Sequence, residues 1–148
     1  MQVFIQNEAG SFIKNYHNEK TLQWLRCARV SRPYPFPYGF VLHTSAADGC
    51  NVDCFVLTPT PLRVGQIVDC EPIGLMEQME DGVEDHNVLA ALPDEPHIVD
   101  RCTQELLIEF VHQVFEHVEG KQISVGRFVG KEAALDYVAQ HEDLARKD

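Results

Sequence analysis

Nowhere does the sequence approach the ~18 uninterrupted apolar residues that a membrane-spanning helix needs, so a membrane protein of that kind is not expected. The first residues, MQVFIQNEAGSFIK, lack a basic segment followed by an apolar run, which argues against a secretory leader. Positive charge is scarce. Twelve Lys and Arg stand against 23 Asp and Glu, giving a formal charge of -11, and such a chain repels polyanions and excludes an extended nucleic-acid footprint. Neither GxGxxG nor GxxxxGK followed by Ser or Thr occurs, which removes two routes to nucleotide binding. The five cysteines, Cys27, Cys50, Cys54, Cys70 and Cys102, are odd in number and irregular in spacing. They exclude a disulfide framework and fit reduced thiols in a cytoplasm. With no repeat and no linker, a single domain over residues 1–148 is expected.

What is present is an ordinary globular composition, 45% hydrophobic and 24% charged. The first ninety residues hold short segments rich in Val, Ile, Phe and Tyr divided by Pro and Gly. This spacing predicts strands near 2–6, 21–28, 39–43, 53–58, 66–76 and 86–92, with a turn at Asp81-Gly82. From Asp100 the period becomes helical: Leu106, Leu107, Phe110, Val111, Val114, Phe115 and Val118 recur on one face, with Asp100 or Thr103 as cap and Gly120 as stop. A strand near Gln122–Val125 and a second helix from Lys131 to Ala145 complete a small barrel or sandwich with helices late in the chain.

Two acidic turns could supply chemistry. Asp48 and Asp53 bracket one loop, and Glu80-Asp81-Gly82-Val83-Glu84-Asp85 forms the other. If they converge, they offer the oxygen ligands that a hard divalent ion such as Mg²⁺ prefers. An EF-hand is excluded because Gly is missing from the sixth position and Pro59 stands where the closing Glu belongs. Zinc is poorly served, since Cys50 and Cys54 have no further cysteine nearer than Cys70. The run Pro33-Tyr34-Pro35-Phe36-Pro37-Tyr38-Gly39 fixes an extended approach to the strand before the first acidic loop and can present the Tyr34 and Tyr38 hydroxyls at a site mouth.

Taken in order, Tyr38-Gly39-Phe40-x-x-His43-Thr44, Asp48-Gly49-x-x-x-Asp53, Pro59-Thr60-Pro61 and Glu84-Asp85 with Pro93 after it resemble the soluble family I inorganic pyrophosphatases. Arg26 and Phe115-Glu116-His117 extend the resemblance over most of the chain. The resemblance implies a mainly β fold with α, a five-stranded OB-type β-barrel with two flanking C-terminal helices, and Mg²⁺-dependent hydrolysis of pyrophosphate or a related phosphoanhydride. It implies metal roles for Asp48, Asp53 and Asp85, with Glu80 at a further metal position. Lys14, Arg26 and Tyr38 are implied as phosphate-binding residues, with Tyr38 implied also in catalysis. A homo-oligomer is also implied.

The departures fall on the same pocket. The family's water-activating aspartate is Cys50 here, followed by Asn51 in place of proline, and two phosphate-gripping lysines are matched by Asn87 and Glu119. Each hydrogen bond to a charged group contributes ~1.5–3 kcal/mol, so two lost lysines cost ~3–6 kcal/mol. That corresponds to a rate loss on the order of 10² to 10⁴ before the missing base is counted. Three expectations follow: a weak Mg²⁺-dependent hydrolase, a catalytically inactive protein kept for binding or assembly, or a Cys50 thiolate that recruits a softer divalent metal.

Overall fold

In the computed structural model, which describes residues 1–96 and 98–144, the strands and helices run in the order β1 (Gln2–Asn7), β2 (Ile13–His17), β3 (Trp24–Arg29), β4 (Tyr38–Val41), β5 (Asp53–Val56), β6 (Ile67–Asp69), β7 (Glu71–Glu80), β8 (Val83–Glu84), β9 (Asn87–Ala91), α1 (Arg101–Gln113), β10 (Ile123–Gly130) and α2 (Lys131–Gln140). The principal sheet has the order β10-β7-β9-β5-β4-β1-β6, with β8 paired to β7. Its five consecutive strands β7-β9-β5-β4-β1 are the OB-type body, flanked by the two helices late in the chain.

The strand period explains why this body is buried on both faces. On β5, Cys54 and Val56 enter a cluster with Val3, Ile5, Val88 and the α2 residues Ala134, Tyr137 and Val138. Phe55 points the opposite way, into a cluster with Met76, Leu89 and the α1 residues Leu107, Phe110 and Val111. Each helix thus covers one face of the sheet. Helix α1 begins where Asp100 accepts a hydrogen bond from the Thr103 N–H at 2.8 Å, so of the two caps expected Asp100 is used.

Several boundaries differ from expectation. Strand β2 was not anticipated, because Ile-Lys-Asn-Tyr-His shows no apolar alternation; it pairs with β3 in a separate two-stranded sheet. Helix α1 ends at Gln113 rather than Val118, after which turns bonded Val118 N–H to Phe115 O at 2.9 Å lead to Gly120 at φ 81°. Strand β10 reaches Gly130 by way of a bulge between Val125 and Phe128. Helix α2 ends at Gln140, and the chain then leaves it to form a bridge between Glu142 and Thr44. The Ala145 end expected for α2 lies outside the described residues. Asp81 and Gly82 both take positive φ, 51° and 81°, as a two-residue hairpin turn of that hand requires.

His17, at the end of β2, is buried edge-on against Phe4 with ring centroids 4.9 Å apart, and its Nδ1 has no partner among the described residues. Burial lowers its pKa below the ordinary value. The neutral ring therefore contributes stability that is present above the unfolded-state pKa of ~6.5 and is lost as pH falls through the lower folded value. His17→Phe is expected to flatten the decline in melting temperature between about pH 7 and pH 5; an unchanged decline would show that other groups govern acid sensitivity.

Candidate functional site

The two acidic turns meet because of one pairing. β5 and β9 run parallel, with Asp53 opposite Asn87, so the first residues of both strands lie at the same end of the sheet. Asp53 opens β5 from the first acidic loop, and Asp85 stands two residues before β9. Glu80 ends β7, beside β9. Together with Asp48, these carboxylates line a cavity of about 200 Å³. Lys14 and Tyr16 of β2, Tyr38 of β4 and Cys50 complete the polar wall, while Phe110, Val111, Val114 and Phe115 form an apolar one.

Crowded negative charge dominates the electrostatics. Burial, then the neighbouring Asp85, pushes the Asp53 carboxyl well above the usual carboxylate range. Asp85 is also raised, by burial first, and it is hydrogen-bonded between Asp53 and Glu80. Glu80 goes the other way: against burial, its hydrogen bonds to Lys121 and Asp85 take it below the ordinary value. Burial and the same carboxylates keep the Tyr38 hydroxyl protonated, far above the ordinary phenol. A buried set of hard oxygen donors whose charges oppose one another suits a divalent cation in kind. Among the described residues, no three ligating side chains are already gathered as a metal cage.

Residues 5–145 match the family model described as inorganic pyrophosphatase. The chain belongs to the inorganic pyrophosphatase family. An inorganic pyrophosphatase of Methanosarcina acetivorans is 31% identical over 147 residues, covering 93% of this chain and 88% of the relative. One from Salmonella typhimurium is 35% identical over 126 residues, 77% of this chain and 71% of the relative. The fold agrees with a solved inorganic phosphatase of Anaplasma phagocytophilum at TM-score 0.85 and 23% identity, over 95% of this chain and 90% of that one.

Within this pyrophosphatase fold, most residues expected at the site do come together. Lys14, Tyr38, Asp48, Cys50, Asp53, Glu80 and Asp85 all line the cavity. Arg26 does not; it is exposed, with its guanidinium 3.9 Å above the ring of Tyr16, which does line it. Asn87 is at the cavity, but its amide N–H is committed to Gln78 Oε1 at 2.8 Å. Glu119 is exposed in the turns after α1 and outside the lining, so its carboxylate does not face the pocket.

Cys50 is exposed at the cavity mouth, its backbone N–H bonded to Asp48 Oδ1 at 3.0 Å. Burial of its thiol, then Glu19 and three aspartates, pushes its pKa up to about 11. With no ion bound, a thiol so placed stays protonated at neutral pH. Cys54 is fully buried in the core face of β5, away from the cavity lining, so the two cysteines form no common site.

Glu19 was not anticipated. It lies in the β2–β3 connection, which carries no recognisable motif, yet it lines the cavity and its Oε1 accepts the Asn51 N–H at 2.9 Å. Asn51, fully inside, ties the loop down by donating to Val41 O at 3.0 Å. Burial first, and Asp48 among the charges, raises the Glu19 pKa. No local signal marks this residue, because its position depends on a hairpin that folds over the loop from elsewhere in the chain.

Proposed function

We propose that this protein hydrolyses pyrophosphate or a closely related phosphoanhydride slowly, with Mg²⁺. The observation that carries the reading is the convergence of Asp48, Asp53, Asp85 and Glu80 with Lys14 and Tyr38 on one cavity of a pyrophosphatase fold. Asp48, Asp53 and Asp85 would hold the ion, with Glu80 at the margin. When bound, the ion supplies a polarised phosphoryl oxygen and a more acidic water. Because the cavity gathers the carboxylates of Asp48, Asp53, Glu80 and Asp85, hard oxygen donors, the hard-ion reading is favoured over a softer metal.

The chain's own residues divide the remaining work. Lys14 sets an ammonium group against the phosphate, and Tyr38, whose hydroxyl stays protonated, donates a hydrogen bond to it. Arg26 acts through Tyr16, whose ring it covers. Cys50 already carries its proton and cannot take one from the attacking water. Glu19, a raised carboxylate beside it, is the group on hand for that transfer. We place the protein in the cytoplasm and as a homo-oligomer, supported by its unpaired cysteines and by the exposed Trp24 and Leu25 of β3. The net charge of -11 argues against a nucleic-acid partner, and among the described residues no helix is long and apolar enough to cross a membrane.

A second reading, binding without turnover, is favoured by Cys50 itself. The deciding experiment is phosphate release from pyrophosphate with Mg²⁺, Mn²⁺, Co²⁺ and Zn²⁺, with Cys50→Asp and Glu19→Gln in parallel. The hydrolase reading expects Mg²⁺-supported release, a gain of about 10² or more in Cys50→Asp from the restored base, and a loss of similar size in Glu19→Gln. No release with any metal, even from Cys50→Asp, would leave a pyrophosphatase fold kept for binding.

A further inference from the structure

We propose that Lys121 binds the second phosphate group of a diphosphate ligand, replacing the cations absent at Asn87 and Glu119; this rests on the phosphoanhydride reading above. The turn after α1 delivers Lys121 to the site. Gly120, at φ 81°, reverses the chain, and Gln122 and Asp81 then exchange hydrogen bonds, each 2.8 Å long. Ile123 consequently stands opposite Glu80 where β10 begins. Lys121 Nζ lies 2.7 Å from Glu80 Oε1.

The same ammonium group lies 4.2 Å from the centre of the Phe115 ring, and Lys14 Nζ lies 5.0 Å from that centre. Even with the two distances laid end to end, the ammonium groups are at most about 9 Å apart. Phe115 forms part of the wall of the main cavity and also, with Lys121, His112, Gln122 and Ile123, lines an adjoining cavity of about 340 Å³. The two cavities therefore meet at Phe115 and Ile123, with one lysine on each. A diphosphate placed across that boundary meets Lys14 at one phosphate and Lys121 at the other. An ammonium group has three N–H donors. The ion pair with Glu80 orients the group and leaves donors for a phosphate oxygen, and the face of Phe115 favours the cation.

A bland role is available to Lys121, that of counter-ion to Glu80, and binding measurements separate the two. Calorimetric titration of methylenediphosphonate, a non-hydrolysable diphosphate, is carried out in saturating Mg²⁺ on the full chain and on Lys121→Met, Lys121→Gln, Lys121→Arg and Lys14→Met, with the exposed Lys131→Met as control. Mg²⁺ alone is titrated against each. The proposal expects diphosphonate to bind about 10- to 100-fold more weakly to Lys121→Met and Lys121→Gln, the loss of one hydrogen bond to a charged group. It also expects Lys121→Arg to restore most of the affinity and Mg²⁺ alone to bind as well or better without Lys121, since a cation beside Glu80 has been removed. Wild-type affinity in Lys121→Met or Lys121→Gln, with Lys14→Met weakened, would reduce Lys121 to a counter-ion and leave the phosphoanhydride reading standing. Failure of the wild-type protein to bind diphosphonate would overturn both.

Discussion

Asp53→Asn is expected to raise the melting temperature of the metal-free protein at neutral pH while removing Mg²⁺-supported phosphate release. Asp53 has a folded-state pKa well above its ordinary value because burial and Asp85 oppose its charge. A raised carboxyl contributes stability that is fully present below the unfolded-state pKa of ~3.9 and is lost as pH rises through the folded value. At neutral pH the buried carboxyl is therefore a cost to the fold, and an amide removes it. Each ~1 kcal/mol regained shifts the melting temperature by ~2–4 °C in a chain of this size. The gain over wild type should shrink as pH falls toward the unfolded-state value.

Turnover should move the opposite way. Loss of an outer-shell partner already costs ~10–100-fold at metal sites, and loss of a direct carboxylate costs more. Mg²⁺ should stabilise the wild-type chain by mass action and do much less for Asp53→Asn. Thermal unfolding with chelator and with Mg²⁺, beside a phosphate-release assay, checks all of this. A variant that melts no higher than wild type and still turns over would refute the placement of Asp53. A position that weakens the fold while serving the site is a familiar stability–activity conflict.

The largest loss of stability is expected from Gly39→Ala. A Cβ built on Gly39 would lie 1.7 Å from the Phe4 carbonyl oxygen and 2.8 Å from its carbon, both backbone atoms. Gly39 pairs with Ile5 on one side and Cys54 on the other, so neither neighbouring strand can withdraw without breaking its ladder. Destabilisation beyond ~4–5 kcal/mol is expected, a loss that removes most of the stability of a marginal domain. Gly130→Ala is the control: nothing lies within 4 Å of its Cβ, and its φ is -83°. It should stay within about 1 kcal/mol of wild type. Denaturant titration of the two variants decides; comparable stability would mean that β1 and β4 can separate more easily than their pairing implies.

Much of this was legible in the sequence because it depends on local pattern. Short apolar segments between Pro and Gly marked most strands of the sheet, and the helical period marked α1, since Leu107, Phe110, Val111 and Val114 face the core, although Leu106 is exposed. The ordered acidic loops with Tyr38-Gly39-Phe40 indicated the family that the match over residues 5–145 established. Strand β2 was not legible, because among the described residues it pairs only with β3 and neither strand shows a regular buried face to generate alternation. The early end of α1 was missed because Phe115 and Val118 keep the helical spacing although regular helix ends at Gln113 with Val114 as its C-cap and turns follow.

The sequence by itself determined which groups this protein has available: the aspartates of two acidic loops, the Cys50 thiol between Asp48 and Asp53, and Asn87 and Glu119 as uncharged and acidic side chains. Those follow from identity and order alone. Only the tertiary structure decided which groups meet. The parallel pairing of β5 with β9 brings Asp53 and Asp85 to the same end of the sheet, the β2–β3 hairpin brings Glu19 onto the Asn51 N–H, and the start of β10 brings Lys121 to Glu80. Each is a contact between segments far apart in the chain, fixed by strand register and helix packing, and register is a property of pairs of segments that neither carries alone.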